Sequence, residues 1–157
     1  MAVDHSELIA VQQKLQALER DIPEIMDRLV VQEGEYAVGQ AKKICKEEGI
    51  VNLGDYRRNF KCGTKAIRTG NAYKIDVYNN LDYAGHLEYG FRGHFVPDKY
   101  LSGHYREEFP DGMYVHFHPG HHTLKRAIDN TKKSQDARLE RKYLLELKKR
   151  GLDKYMK

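Results

Sequence analysis

The chain has 157 residues, 32% of them charged and 40% hydrophobic, with a mean hydropathy of −0.76, a length that suits one domain, 1–157, with a core needing no disulfide or metal staple. A net charge of +4 and a pI of about 8.9 are too mild to point to nucleic acid by themselves. Two cysteines, Cys45 and Cys62, exclude a disulfide framework; no apolar run approaches the roughly 20 residues of a membrane span; and residues 1–10 lack the basic start and apolar centre of an export signal, so a soluble chain with free thiols in a reducing cytoplasm is expected.

Leu8, Val11, Leu15, Leu18, Ile22, Ile25 and Leu29 recur at alternating spacings of three and four, which places them along one side of a helix. Pro23 withdraws an amide donor, so the pattern predicts one kinked helix or two, with Asp21 as a cap and Glu24 three residues on. The helix should continue to about residue 46, weakened by Gly34 and Gly39, and end at Glu47-Glu48-Gly49. Its stripe reads as packed on its own domain, with a partner helix as the alternative.

Over 72–78, Tyr73, Ile75 and Val77 alternate with Lys74, Asp76 and Tyr78, as a half-buried strand requires. Asn79-Asn80 turns the chain, Tyr83, Ala84 and Leu87 share one face of a short helix, and Gly90 supplies the left-handed backbone that stops it. Segment 91–111 reads as a long loop. Met113, Val115 and Phe117 then alternate with Tyr114, His116 and His118 in a second strand, Pro119-Gly120 turns, and a helix runs from about 122 to 132. Beyond Ser134, Leu139, Tyr143, Leu144 and Leu147 form a stripe among Arg138, Arg141, Lys142, Lys148 and Lys149 that should end at Gly151. Residues 1–35 carry 3 Lys+Arg against 8 Asp+Glu, and residues 123–157 carry 12 against 5. The two ends would suit docking on each other, within a subunit or between neighbours, or would simply be solvated helix faces.

The order of strand, Asn-rich turn, Tyr83-Ala84 and Glu88-Tyr89-Gly90 resembles the tail-component family of long-tailed (lambdoid siphovirus) bacteriophages, the gene-product-ten-like neck and tail-completion, or head-tail joining, proteins. Upstream, Leu53-Gly54-Asp55-Tyr56-Arg57-Arg58-Asn59-Phe60 stands where that family carries Thr-Gly-x-Leu-basic-x-Ser, with Leu53, Tyr56 and Asn59 departing from its Thr, Leu and Ser. Downstream, Pro119-Gly120-His121-His122-Thr123-Leu124-Lys125-Arg126-Ala127-Ile128 is similar to its closing helix. The resemblance covers 24–131, leaving an N-terminal helical extension, 1–22, and a basic C-terminal one, 134–157.

This resemblance implies an α+β fold: a long kinked N-terminal helix, a small, mainly antiparallel sheet holding the Tyr73 and Met113 strands, and C-terminal helices packed on it. It implies a non-enzymatic virion protein without cofactor, made in the host bacterial cytoplasm, that forms a cyclic ring, of about six copies, at the head-proximal end of the tail or in the neck. Partners would be further copies, the tail-tube protein and a head-closure or neck protein, with non-specific contact to DNA in the channel and none to a membrane. Gly54, Tyr83, Ala84, Glu88 and Gly90 are expected to define the fold, and Phe91, Arg92, His94, Phe95, Tyr100 and Tyr105, with the terminal helices, to make assembly contacts.

Two other chemistries are carried by residues here. His116-x-His118-x-x-His121-His122 has the histidine spacing of the H-x-H-x-D-H signature of metallo-β-lactamase-class hydrolases, but Gly120 occupies the Asp position and no later histidine completes the set; a zinc-dependent hydrolase using His116, His118 and His121 is one alternative. The plain reading is a polar strand face and a helix start. Glu88 and Asp82 could form a carboxylate pair, although a bond from Glu88 to a backbone amide or to an arginine such as Arg92 explains it more simply. The basic pairs Arg57-Arg58, Lys125-Arg126, Lys132-Lys133, Arg141-Lys142 and Lys148-Lys149-Arg150, interleaved with Tyr56, Phe60 and Tyr143, make a small basic nucleic-acid-binding protein the other alternative. No phosphate loop, dinucleotide fingerprint or nucleophile elbow is present.

Overall fold

A single helix, α1 (Ser6–Glu47), runs for 42 residues, roughly 60 Å at 1.5 Å per residue. The computed structural model describes residues 6–50, 54–101 and 103–152; Leu53 of the upstream motif therefore lies outside the described residues. Helix α1 passes through Pro23 without a break, and Asp21 is not a cap, its carboxylate lying 3.3 Å from the Arg150 guanidinium. The missing amide of a mid-helix proline costs about 3 kcal/mol. Packing on both sides of it offsets that loss, because Leu18 and Ile25 are held in one cluster with Leu147 and Leu152. The 1–22 segment is thus, as far as it is described, continuous with the helix of the core. Gly49, at φ 63°, ends α1 as expected.

Two long β-hairpins follow, not one sheet. In the first, β1 (Phe60–Cys62) pairs antiparallel with β4 (Val77–Asn79), and β2 (Ile67–Thr69) with β3 (Ala72–Lys74). The Gly63 amide donates to the Asp76 carbonyl at 3.0 Å between the two ladders, and residues 64–66 bulge there. The expected 72–78 strand is thereby split, although its alternation survives: Tyr73, Ile75 and Val77 are half-buried while Lys74 and Asp76 are exposed. Gly34 lets this hairpin cross α1 closely, since a Cβ there would stand 3.1 Å from both the Cys62 Cβ and an Ile75 methyl.

The second hairpin pairs β5 (Gly90–Phe91) with β8 (His118–Pro119) and β6 (His94–Val96) with β7 (Met113–Val115) in one continuous register. Segment 91–111 is therefore not a plain loop. It is an outgoing strand and a helical tip made of a 3-10 turn (Asp98–Tyr100) and α4 (His104–Glu108). The Tyr73 and Met113 strands lie in separate ladders because α3 (Ala84–Tyr89) intervenes between the hairpins.

The C-terminal helices α5 (Thr123–Lys133) and α6 (Gln135–Lys149) pack chiefly on α1 and each other, not on the strands. One core cluster joins Ala41, Ile44 and Cys45 of α1 to Tyr56, Phe60, Ala84 and Ala127; the other joins Leu18, Ile25 and Leu29 to Leu147 and Leu152. Toward the start of α1 the stripe is largely open, with Leu8 and Leu15 67% and 51% exposed and Val11 half-buried. The oppositely charged ends dock within the chain, through Asp21–Arg150, Glu33–Lys142 and Glu33–Arg138.

Candidate functional site

The motif around Glu88 is a junction between two helix ends. Asn79 fixes its entrance: the side-chain oxygen accepts the Leu81 amide at 3.2 Å and the side-chain nitrogen donates to the Tyr56 carbonyl at 2.7 Å. On α3, Ala84 and Glu88 are four residues apart and both buried, as one helix face demands. The Glu88 carboxylate accepts the backbone amides of Leu124 at 2.9 Å and Lys125 at 3.1 Å, in the first turn of α5, and the Tyr56 hydroxyl at 3.4 Å. A carboxylate there satisfies orphan amides and complements the positive end of the helix. In return the amides of His121 and His122 donate to the carbonyls of Leu87 and Glu88 at 2.8 and 3.0 Å, so each helix end caps the other. Burial pushes the Tyr56 hydroxyl well above its ordinary range, and the Glu88 carboxylate acts in the same direction, which keeps it a neutral donor.

The reciprocal capping requires close backbones. Gly90 has φ 79°, and a Cβ on it would stand 2.4 Å from the His118 carbonyl oxygen and 2.6 Å from the Gly120 nitrogen. His122, at φ 48° and ψ 37°, is the one non-glycine residue with positive φ among the described residues. Gly54, at φ 69°, opens α2 (Asp55–Arg58), which delivers Tyr56 to Glu88. Asn59 caps that short helix, its side-chain nitrogen donating to the Asp55 carbonyl at 3.0 Å. Tyr83 is not part of the junction. It is partly exposed and lines an open groove of about 350 Å³ with His86, Leu87, Phe91, His94 and Val115.

The candidate contact residues share the second hairpin. Phe91 is half-buried and stacks on His118 at 5.7 Å. Arg92 is exposed, and no bond joins it to Glu88. Phe95, Tyr100 and Tyr105 are 55%, 72% and 57% exposed, and the arm adds Tyr114 and Phe117 at 57% and 68%. Alternation placed Phe117 on the buried side, but β7 ends at Val115 and releases it. Phe95 and Tyr114 are directly opposed across the ladder.

The histidines divide among different neighbours. His116 lies against Tyr114, His118 between Phe91 and His121, and His122 against Tyr89. Among the described residues no three His, Cys, Asp or Glu side chains converge on a metal position, so His116 does not join His118 and His121 in a ligand set. Asp82 is exposed and Glu88 is occupied by amides, so they form no carboxylate pair. No described helix is long and apolar enough to cross a membrane.

Much of the C-terminal basic charge is already engaged. Arg138 donates to both carboxylate oxygens of buried Glu33 and, at 2.9 Å, to the Thr131 carbonyl, and its guanidinium lies 3.8 Å from the Tyr36 ring centroid. Lys142 adds a second cation to Glu33 at 3.3 Å. Burial opposes ionisation of Glu33, but Arg138 and Lys142 outweigh it and hold the carboxyl below its ordinary value. Buried Glu146 takes Arg28, Lys149 and Arg150, each at 2.9 Å. These latches were signalled in the sequence only by the opposite charge of the two ends.

Residues 9–90, more than half of the chain, match the family model described as Bacteriophage HK97-gp10, putative tail-component. The match starts and ends earlier than the 24–131 span of the motif resemblance. No curated protein and no solved structure matches the chain.

Proposed function

The chain belongs to the bacteriophage HK97-gp10 tail-component family, and on that premise we propose that it is a structural, non-enzymatic virion protein that closes into a ring at the head-proximal end of the tail and helps join head to tail. The observation that carries this reading is the second hairpin. It projects Phe95, Tyr100, Tyr105, Tyr114 and Phe117, each more than half exposed, on an arm whose two tip helices, Asp98–Tyr100 and His104–Glu108, bury none of their residues. Large aromatic side chains exposed together on one arm, with Phe95 and Tyr114 paired across the ladder, suit a protein contact. A cyclic ring needs two unlike, complementary surfaces per subunit. The aromatic arm is one; the largely open Leu8–Leu15 end of α1 and the apolar groove between α1, the first hairpin and α5, of about 380 Å³, offer the other. One ring face would then meet the tail-tube protein and the opposite face a head-closure or neck protein.

The test is removal of residues 98–110 with a short Gly-Ser link between β6 and β7. The shortened protein should stay folded, because the tip contributes nothing to either core cluster. Phage carrying it should accumulate unjoined heads and tails, visible by electron microscopy. Full infectivity would overturn the reading.

A further inference from the structure

We propose that the first hairpin, from Lys61 to Lys74, is a binding site for the phosphate backbone of duplex DNA. Between Tyr56 and Ile75 the chain holds Arg57, Arg58, Lys61, Lys65, Arg68 and Lys74 and no acidic residue. Arg58 is held by Asp55 at 3.2 Å. Lys61, Lys65, Arg68 and Lys74 are all exposed, and none has a carboxylate within ion-pair distance among the described residues. On the C-terminal helices Arg126, Arg138, Lys142, Lys149 and Arg150 are bound to carboxylates of their own chain, and the cations left over, Lys125, Lys132, Lys133, Arg141 and Lys148, are interspersed with Asp129, Asp136 and Glu140, whereas the hairpin's cations have no acid among them.

The distal ladder has no evident work within the subunit. All of β2 is exposed, and of β3 only Tyr73 is half-buried. A two-stranded ribbon of three-residue strands is marginal in water by itself, yet its base is pinned to α1 by the Ala66 amide, which donates to Asp27 at 2.6 Å. Arg68, opposite Tyr73 in the register, lies 5.8 Å from that ring and donates to the Gly70 carbonyl at 3.2 Å, so its charge is fixed beside the turn. The nearest acid on the hairpin is Asp76 at the base. A pinned, twisted two-stranded ribbon bearing cations on both strands fits a duplex groove, which admits such a ribbon, and phosphate contact gives affinity without sequence preference. Single strands require open aromatic platforms; here Tyr73 is half-buried and faces Arg68.

The inference does not depend on where in the virion the protein sits, and its readout is separate from head-tail joining. Anisotropy of a labelled random duplex of about 20 base pairs, titrated with the full-length protein between about 50 and 200 mM salt, tests it. The parent should bind with steep salt dependence and prefer duplex to a single strand of equal length. Lys65→Gln/Arg68→Gln/Lys74→Gln should bind at least tenfold more weakly, with a log–log salt slope shallower by about 2.7, or about 0.9 per lost contact. Lys132→Gln/Arg141→Gln/Lys148→Gln, the same charge removed from exposed sites on α5 and α6, should lose less than about threefold, the part due to net charge alone. Melting curves establish that both variants are folded, and Lys65→Glu alone should reproduce the ribbon effect at smaller size. Equal losses in the two triple variants, an unchanged ribbon variant, preference for the single strand, or no binding by the parent at low salt would each overturn the proposal.

Discussion

Gly90 and Gly120 stand back to back: a Cβ on Gly90 would lie 2.6 Å from the Gly120 nitrogen, and one on Gly120 would lie 2.7 Å from the Gly90 nitrogen and 2.3 Å from the Glu88 carbonyl oxygen. The obstacles are backbone atoms, which cannot swing aside as a side chain can. Gly90 also has positive φ, worth roughly 1 to 3 kcal/mol against a β-branched residue. Gly90→Val should therefore cost more than about 4 kcal/mol, and Gly120→Ala, where φ is not positive, isolates the steric part. Thermal melts of both check this. A Gly120→Ala protein that melts like its parent would show that the two backbones separate at no cost.

Loss of the Glu88 carboxylate would strand the Leu124 and Lys125 amides and the Tyr56 hydroxyl. Removing a charged acceptor at a helix start costs about 2 to 3 kcal/mol, less than the Gly90→Val clash. Glu88→Gln keeps one acceptor oxygen and should lose about 1 kcal/mol. Hydrogen exchange at Leu124 and Lys125 should quicken in Glu88→Ala while amides of α1 keep their protection. Denaturant midpoints equal to the parent's would remove the capping role.

Periodicity revealed α1 because seven apolar residues share one face, a local signal. Pro23 leaves one helix or two open, because the choice depends on Leu147 of α6 and Leu152 just beyond it, more than a hundred residues away, which hold Leu18 and Ile25 on either side of the proline. Gly34 read as a weakness, whereas its missing side chain is what admits Cys62 and Ile75. Alternation marks the returning runs 72–78 and 113–118, whereas the outgoing strands β1, β2, β5 and β6, two or three residues each, are too short for it to register, and the charged arm tip reads as loop. The motif around Glu88 suggested a backbone amide as its partner; that the amides belong to Leu124 and Lys125 is a tertiary fact with no local trace.

His122 adopts a left-handed backbone, φ 48° and ψ 37°, and by doing so directs its own amide and that of His121 at the end of α3. A side chain in this region costs about 1 to 2 kcal/mol, less for polar residues that tolerate it. His122→Gly should raise stability by up to about 1 kcal/mol, since the ring's one aromatic neighbour among the described residues, Tyr89, is 6.5 Å away between centroids and little is lost. His122→Asn should be near neutral and His122→Val should lose about 1 to 2 kcal/mol. Chemical denaturation of the three variants gives the order; Val equal to Gly would mean that the backbone there is not constrained.

Stability should fall in acid, and Glu33 should account for much of the fall. Its folded-state pKa is lowered from an ordinary 4.5, as are those of Glu48 and Glu146. A group with a lowered folded pKa releases its proton more readily when folded, so its contribution is complete above the ordinary value and drains away as pH drops through the lowered one. The loss should therefore begin near pH 4.5 and deepen below it. Glu48 is a third exposed and adds little after solvent screening, whereas Glu33 is buried beneath Arg138 and Lys142. Glu33→Gln should lower stability at neutral pH and flatten the acid limb. Arg138→Met leaves the buried carboxylate with Lys142 alone, should cost about 3 kcal/mol at neutral pH, and should shift the acid transition upward. Denaturation followed by circular dichroism from pH 7 down to pH 3 separates the two; an acid limb equally steep in Glu33→Gln and the parent would show that the Glu33–Arg138 latch does not set it.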